Sequence, residues 1–111
     1  MSTMKKSLVI FTDETDMWQD MPLYTAIVIT LERQGIAGAT VNRGLMGFGR
    51  HRKIHRKGLF GVSDDRPVTI VAVDSEEKIR AVLSVVVPMV KEGLVLLQDV
   101  EVISNGTAPL S

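Results

Sequence analysis

The sequence predicts an α+β sandwich: an antiparallel sheet, two helices on one of its faces, and a long loop between its second and third strands. Three observations predict it. Four short apolar runs have the length and residue types of strands. Two stretches with apolar residues at helical spacing lie between the first and second runs and between the third and fourth. A basic segment with a glycine-rich opening separates the middle two runs.

Each element has its own signal. Leu8-Val9-Ile10-Phe11 is a continuous apolar run and reads as a buried strand. A polar connection containing Trp18 follows, with Asp20 as candidate N-cap and Pro22 in the first helical turn. Leu23, Ala26, Ile27, Thr30 and Leu31 form a helical stripe, and Gly35 ends it. Val28 and Ile29 lie off the stripe and suggest a contact with another subunit. Gly38–Arg43 reads as the second strand, and Pro67–Val73 as the third, with proline tolerated at its first position. Asp74 is placed to cap the second helix, with Glu77 as partner in a capping-box-like arrangement. Ile79, Val82, Leu83, Val86 and Val90 mark that helix's apolar face, Pro88 kinks its end and Gly93 stops it. Leu94–Leu97 and Val100–Ile103 form a last strand, or a pair broken at Gln98-Asp99. The order β-α-β-β-α-β defines a ferredoxin-like sandwich. Its core is expected over about residues 6–103, its loop over about 43–65, and a loose tail over 104–111, within one domain spanning 1–111.

The strands are apolar on both sides: Val9 and Phe11 alternate with Leu8 and Ile10, and Val71 and Val73 with Ile70. Two helices cover one face only. The other face is most simply covered by further copies of the chain, so a homo-oligomer is expected.

Composition narrows the function classes. The 111 residues carry no net charge at pH 7, which argues against a general nucleic-acid binder. There is no cysteine, so disulfides, thiol catalysis and cysteine zinc sites are excluded. No apolar run has the length of a signal peptide's core or a bilayer span, and a cytoplasmic location is expected.

The chemistry concentrates between Arg43 and Lys57, which hold six of the 13 Lys/Arg residues, both histidines and no carboxylate. Gly47-Phe48-Gly49 followed by Arg50 can cradle and clamp an anion, or serve only as a flexible bend. His51 and His55 are spaced for a helical metal pair, but the surrounding cations oppose a metal and no carboxylate completes the set, so no metal site is expected. An RNA-binding reading of the basic run ranks lower, because the aromatic spacing of a stacking sheet is missing. Asp13, Glu14 and Asp16 read as a solvated acidic turn and Trp18 as a lid or stacking platform. Lys91 is either a phosphate contact or a charged helix end. No nucleophile–base set is visible, so no enzyme activity is expected.

Gly35-Ile36-Ala37-Gly38-Ala39-Thr40-Val41 followed by Gly47-Phe48-Gly49-Arg50 resembles the PII signalling proteins. The whole chain is most similar to the PII-like branch catalogued as a domain of unknown function. That likeness also rests on Pro22-Leu23-Tyr24, Ile54-His55, and Glu92-Gly93-Leu94-Val95 leading to Asp99-Val100-Glu101-Val102. It runs from about Lys6 to Ile103. The resemblance implies a homotrimer with inward-facing sheets and a projecting T-loop. It also implies adenine-nucleotide binding between subunits and regulation of a partner, often a transporter, channel or enzyme. By motif, Gly38 and Thr40 would lie near the adenine. Gly47, Phe48, Gly49 and Arg50 would line the phosphate side, with Lys91 and Gly93 as further nucleotide contacts. His51, Arg52, Lys53, His55, Arg56 and Lys57 would form the partner-reading part of the loop.

The chain departs from the PII pattern in several places. His51 stands where PII has the glutamine that helps hold Mg²⁺ with ATP. The tyrosine that some members have modified is absent. The glycine-rich turn before the last strand is reduced to Lys91-Glu92-Gly93, and Ser104-Asn105-Gly106 replace C-terminal basic residues. ADP, AMP or another anion is therefore placed level with ATP as ligand, and no cofactor is obligatory. The resulting expectation is a non-enzymatic, nucleotide-sensing regulator. The alternative is an interaction module, without nucleotide, whose basic loop docks on an acidic partner.

Overall fold

The computed structural model describes residues 3–48, 55–56 and 66–106. In chain order the elements are β1 (Thr3–Asp13), β2 (Met17–Trp18), β3 (Met21–Pro22), α1 (Leu23–Arg33), β4 (Ala39–Arg43), β5 (Met46–Gly47), β6 (His55–Arg56), β7 (Pro67–Asp74), α2 (Glu76–Val86) and β8 (Leu94–Val102). A 3-10 turn, Val87–Met89, extends α2. The main sheet has the order β4-β7-β1-β8 and every pairing in it is antiparallel. This is the α+β arrangement that the alternation of runs predicts.

Register explains which residues enter the core. Leu8 faces Ala72, and Ile10 faces Ile70, so one β1–β7 face presents an unbroken apolar layer. That layer is buried, and α1 covers it with Leu23, Ala26, Ile27 and Leu31. From α2 come Ile79, Val82 and Val86. Burial of such side chains contributes roughly 1.5–3 kcal/mol each. Thr30, expected on the α1 stripe, is half-buried and returns its hydroxyl to the Ala26 carbonyl (2.8 Å). Leu83 and Val90 are half-buried at the margin.

Three local expectations need correction. Asp20 does not cap α1. Residues 17–22 form a small hairpin in which Trp18 pairs with Met21 and Met17 with Pro22, leaving Asp20 near its tip. Pro22 occupies the cap position without a side-chain bond, and the Leu23 N–H donates to the Asp16 carbonyl instead (2.8 Å). At α2 the cap is Ser75, whose Oγ accepts the Lys78 N–H (3.2 Å). Asp74 ends β7, and Glu77 is not its capping partner, because the helix starts one residue later than a cap at Asp74 requires. Finally, β8 is unbroken. Gln98 and Asp99 lie opposite Ser7 and Lys6 of β1, and the Lys6 ammonium binds the Asp99 carboxylate. A polar pair on one strand is met by polar residues on the other.

The second face of the sheet carries Val9, Phe11, Val71 and Leu96, with Val9 opposite both Val71 and Leu96. No element of the chain among the described residues lies over it, and Phe11 and Leu96 remain 39% and 40% exposed. Val28 and Ile29 of α1 are half-buried. No helix among the described residues is long and apolar enough to cross a membrane.

Candidate functional site

The loop base is built where β4 leaves the sheet. Arg43 still pairs with Val68, and the next N–H, from Gly44, donates to the Pro67 carbonyl (2.7 Å). The chain then turns into the β5–β6 ribbon, in which Met46 faces Arg56 and Gly47 faces His55. Pro67 is the anvil of this turn. A Cβ on Gly44 would stand 2.7 Å from its Cγ, and one on Gly47 would stand 3.2 Å away. Gly47 does not take a left-handed φ. Its lack of a side chain serves close packing on Pro67, and the conformational freedom suggested by the Gly-Phe-Gly motif is not what it uses. Arg43 pairs with Glu14 (3.0 Å), which ties the loop base to the turn after β1. Phe48 is exposed.

Of the remaining loop residues, Gly49, Arg50, His51, Arg52, Lys53 and Lys57 lie outside the described residues, and His55 and Arg56 are described by backbone alone. Gly38 precedes β4, and a Cβ there would meet nothing within 4 Å. Thr40 lies opposite Val71, so it belongs to the uncovered face. Val71 is four residues from Pro67, about 13 Å along the strand. Thr40 and Gly47 therefore flank one stretch of β7 from different positions.

Gly93 and Lys91 sit at the loop-base end of the sheet, just before β8, with β1 between them and β7. Gly93 has φ 149°, and a Cβ would come within 2.2 Å of the Phe11 carbonyl oxygen. Glycine is required there for the chain to enter β8 against β1. Lys91 is exposed, and among the described residues its ammonium makes no hydrogen bond or ion pair. It lines a cleft of about 480 Å³ between the β2–β3 hairpin and the α2–β8 connection, together with Asp16, Met17, Trp18, Met89 and Glu92. Sequence reasoning singled out Trp18 and Lys91 separately. The hairpin that brings them together spans strands of two residues each, too short to show periodicity.

The acidic turn is braced by local hydrogen bonds. Asp13 accepts the Thr15 N–H (3.0 Å) and hydroxyl (2.8 Å), while Asp16 accepts the Asp13 N–H (3.0 Å). Among the described residues no cluster of three metal-ligating side chains forms. At the far end of the sheet, the buried Asp74 carboxylate accepts the N–H groups of Ser75 (2.7 Å) and Ala37 (2.9 Å). Burial pushes its pKa up. The two N–H groups, with the positive charges of Lys78 and Lys5, outweigh that and hold it below the ordinary carboxylate value.

A four-stranded antiparallel sheet with both helices on one face and a ribbon rising from its edge is a ferredoxin-type fold of the kind PII-like proteins have. The solved structures agree. The chain superposes on CPII, a nitrogen regulatory PII-like protein from Thiomonas intermedia bound to ADP, AMP and bicarbonate, with a TM-score of 0.71 at 24% identity, covering 92% of this chain and 91% of that one. A putative PII-like signalling protein from Thermus thermophilus gives 0.63 at 15% identity, with coverage of 92% and 91%. The chain belongs to the DUF190 family, described as "Uncharacterized ACR", whose model matches residues 5–102. A UPF0166 protein of Aquifex aeolicus is 36% identical over 99 residues, 89% of this chain and 93% of the relative. One from Methanocaldococcus jannaschii is 36% identical over 103 residues, covering 92% and 94%.

Proposed function

We propose that the protein is a non-enzymatic PII-like signal-transduction protein. It binds an adenine nucleotide between copies of itself and passes the bound state to a protein partner through its basic loop. The carrying observation is the uncovered apolar face, with Thr40 on it and the loop base at its end. A second copy seated on that face would turn the interval between Thr40 and Gly47 into a cleft. Gly38 and Thr40 would lie on its adenine side. Gly47, Phe48, Gly49 and Arg50 would lie on its phosphate side, with Lys91 and Gly93 beyond. The ADP and AMP held by the Thiomonas intermedia neighbour support the ligand class.

A homotrimer is the closed assembly this reading uses. Anion contacts at the loop base would favour one conformation of the segment from His51 to Lys57, and the partner would read that conformation. A membrane transporter or channel is a fitting partner class, and the setting is cytoplasmic. The reading is tested by calorimetric titration with ATP, ADP, AMP and cyclic AMP, alongside mass measurement under native conditions. It expects a trimer mass and saturable heat with at least one nucleotide. Absence of heat with all four overturns it.

A further inference from the structure

Among the described residues, two buried side-chain polar atoms have no hydrogen-bond partner: the Thr12 Oγ1 and the Arg66 Nε. A buried polar atom left unpaired is costly, and water, an ion or a ligand commonly supplies the missing partner. These two atoms belong to neighbouring residues. Thr12 stands opposite Val68 in the β1–β7 register. The Glu14 N–H donates to the Arg66 carbonyl (2.8 Å), which carries the pairing two residues further. Thr12 and Arg66 are therefore diagonal neighbours across two antiparallel strands, about 7–8 Å apart along the backbone. Thr12 alternates with Leu8 and Ile10, which places it beneath the helices, and it is 7% exposed. Arg66 alternates in the same way with Val68 and Ile70 and is half-buried, so its guanidinium end reaches toward solvent.

The surroundings set the ligand chemistry. The Arg66 Nε–H is one prong of a planar fork that matches a carboxylate, and the Thr12 hydroxyl can donate to the same group. Glu14, the acid directly across from Arg66, is neutralised by Arg43 at 3.0 Å, which leaves the Arg66 charge in excess. Asp13 lies on the other side of β1 by strand alternation. Helix α1 begins at this end of the sheet, its Leu23 N–H on the Asp16 carbonyl, with no acidic residue in its first turn and no side-chain cap. Its positive end adds to the field that favours an anion. The carboxylate of Asp16, in the turn after β1, limits that anion to a single charge.

We infer that Thr12 and Arg66 form a site for a small carboxylate, held by the Arg66 Nε–H and the Thr12 hydroxyl. The site is separate from the nucleotide contacts. Thr40 lies opposite Val71 on the uncovered face, and Pro67, on which Gly44 and Gly47 pack, alternates with Val71. Thr12 and Arg66 lie on the helix side of the same strands. The inference does not depend on the nucleotide reading.

The experiment titrates the full chain with formate, against chloride at equal ionic strength, and follows the melting temperature and the Arg66 Nε–H resonance. That resonance is assigned by its loss in Arg66→Lys. In the parent it should shift saturably with formate, and the melting temperature should rise with it. Thr12→Val keeps the branched shape and removes the hydroxyl. Without formate this variant should melt no lower than the parent, because the group it loses is buried and unpaired. With formate its response should require at least about fivefold more anion. Arg66→Lys keeps the charge, loses the fork, and should weaken the melting response by a similar factor. A resonance that formate leaves unmoved overturns the site, as does an equal response to chloride or parental affinity in either variant. A Thr12→Val protein that melts lower without formate also overturns it, since the hydroxyl would then serve the fold alone. Nucleotide heat with no formate response would spare the proposed function and sink this inference. Formate binding with no nucleotide heat would do the reverse.

Discussion

Asp74 shows how much one residue can hold. Its carboxylate ties the connection after α1, through Ala37, to the start of α2, through Ser75. Replacing it by alanine leaves two N–H groups without their acceptor and should cost about 2–4 kcal/mol, read as a shift of the urea midpoint at pH 7. Acid should act on the same group. Its folded-state pKa lies below the unfolded value of about 3.9. The stabilisation is therefore complete above that pH and is lost as pH falls through the folded pKa. Stability measured from pH 6 to pH 3 should fall less steeply in Asp74→Asn than in the parent. Some slope should survive, because Glu76, held low by the Arg80 hydrogen bond and by Lys6, and Asp99, held low by Lys6, titrate in the same direction. The sequence marked Asp74 as a helix cap. That assignment used spacing along the chain, whereas the partner that defines its role, Ala37, is 37 residues away.

The helices and strands follow their patterns closely in the middle and depart from them at their ends. Apolar spacing located both helices, and the register of β1 with β7 buries the residues that the alternation marks. Ends depend on single hydrogen bonds. Ser75→Ala should destabilise α2 by about 1 kcal/mol, since it removes the side-chain acceptor of the Lys78 N–H; thermal melts report the loss. Asp20→Ala, by contrast, should be near neutral, because α1 has no side-chain cap to lose. At the other end of α2, Pro88 lacks the N–H that would continue the helix, and the chain closes in a 3-10 turn. Gly93 then takes the chain past Phe11. Gly93→Ala should cost about 3 kcal/mol or more, because the new methyl would overlap a backbone oxygen that belongs to the sheet and cannot move aside. A denaturation midpoint indistinguishable from the parent's would refute that account.

At the scale of the molecule, the open face decides what the fold can do. Leu96 lies at its middle, opposite Val9, and is 40% exposed in the single chain. Leu96→Lys should leave the isolated domain folded, while a lysine buried between copies would be unpaired and costly. Native mass measurement should then report monomer for the variant and trimer for the parent. Equal masses for the two would count against assembly through this face. The candidate nucleotide contacts divide in the same way. Thr40 lies on the open face, Gly47 packs on Pro67, and Gly93 packs on Phe11. Motif spacing named these residues without indicating that they occupy different positions around the sheet.

By itself, the sequence determined the order of elements, the helix faces, the two-sided apolar sheet and the family likeness. Those properties reside in local periodicity and in short motifs, which a single chain carries in one dimension. Only the tertiary structure decided that Gly44 and Gly47 serve the approach to Pro67, that Asp74 clasps two connections, and that Trp18 and Lys91 share a cleft. Each depends on residues distant in sequence being brought within contact range, where steric overlap and hydrogen-bond geometry, rather than propensity, set the outcome.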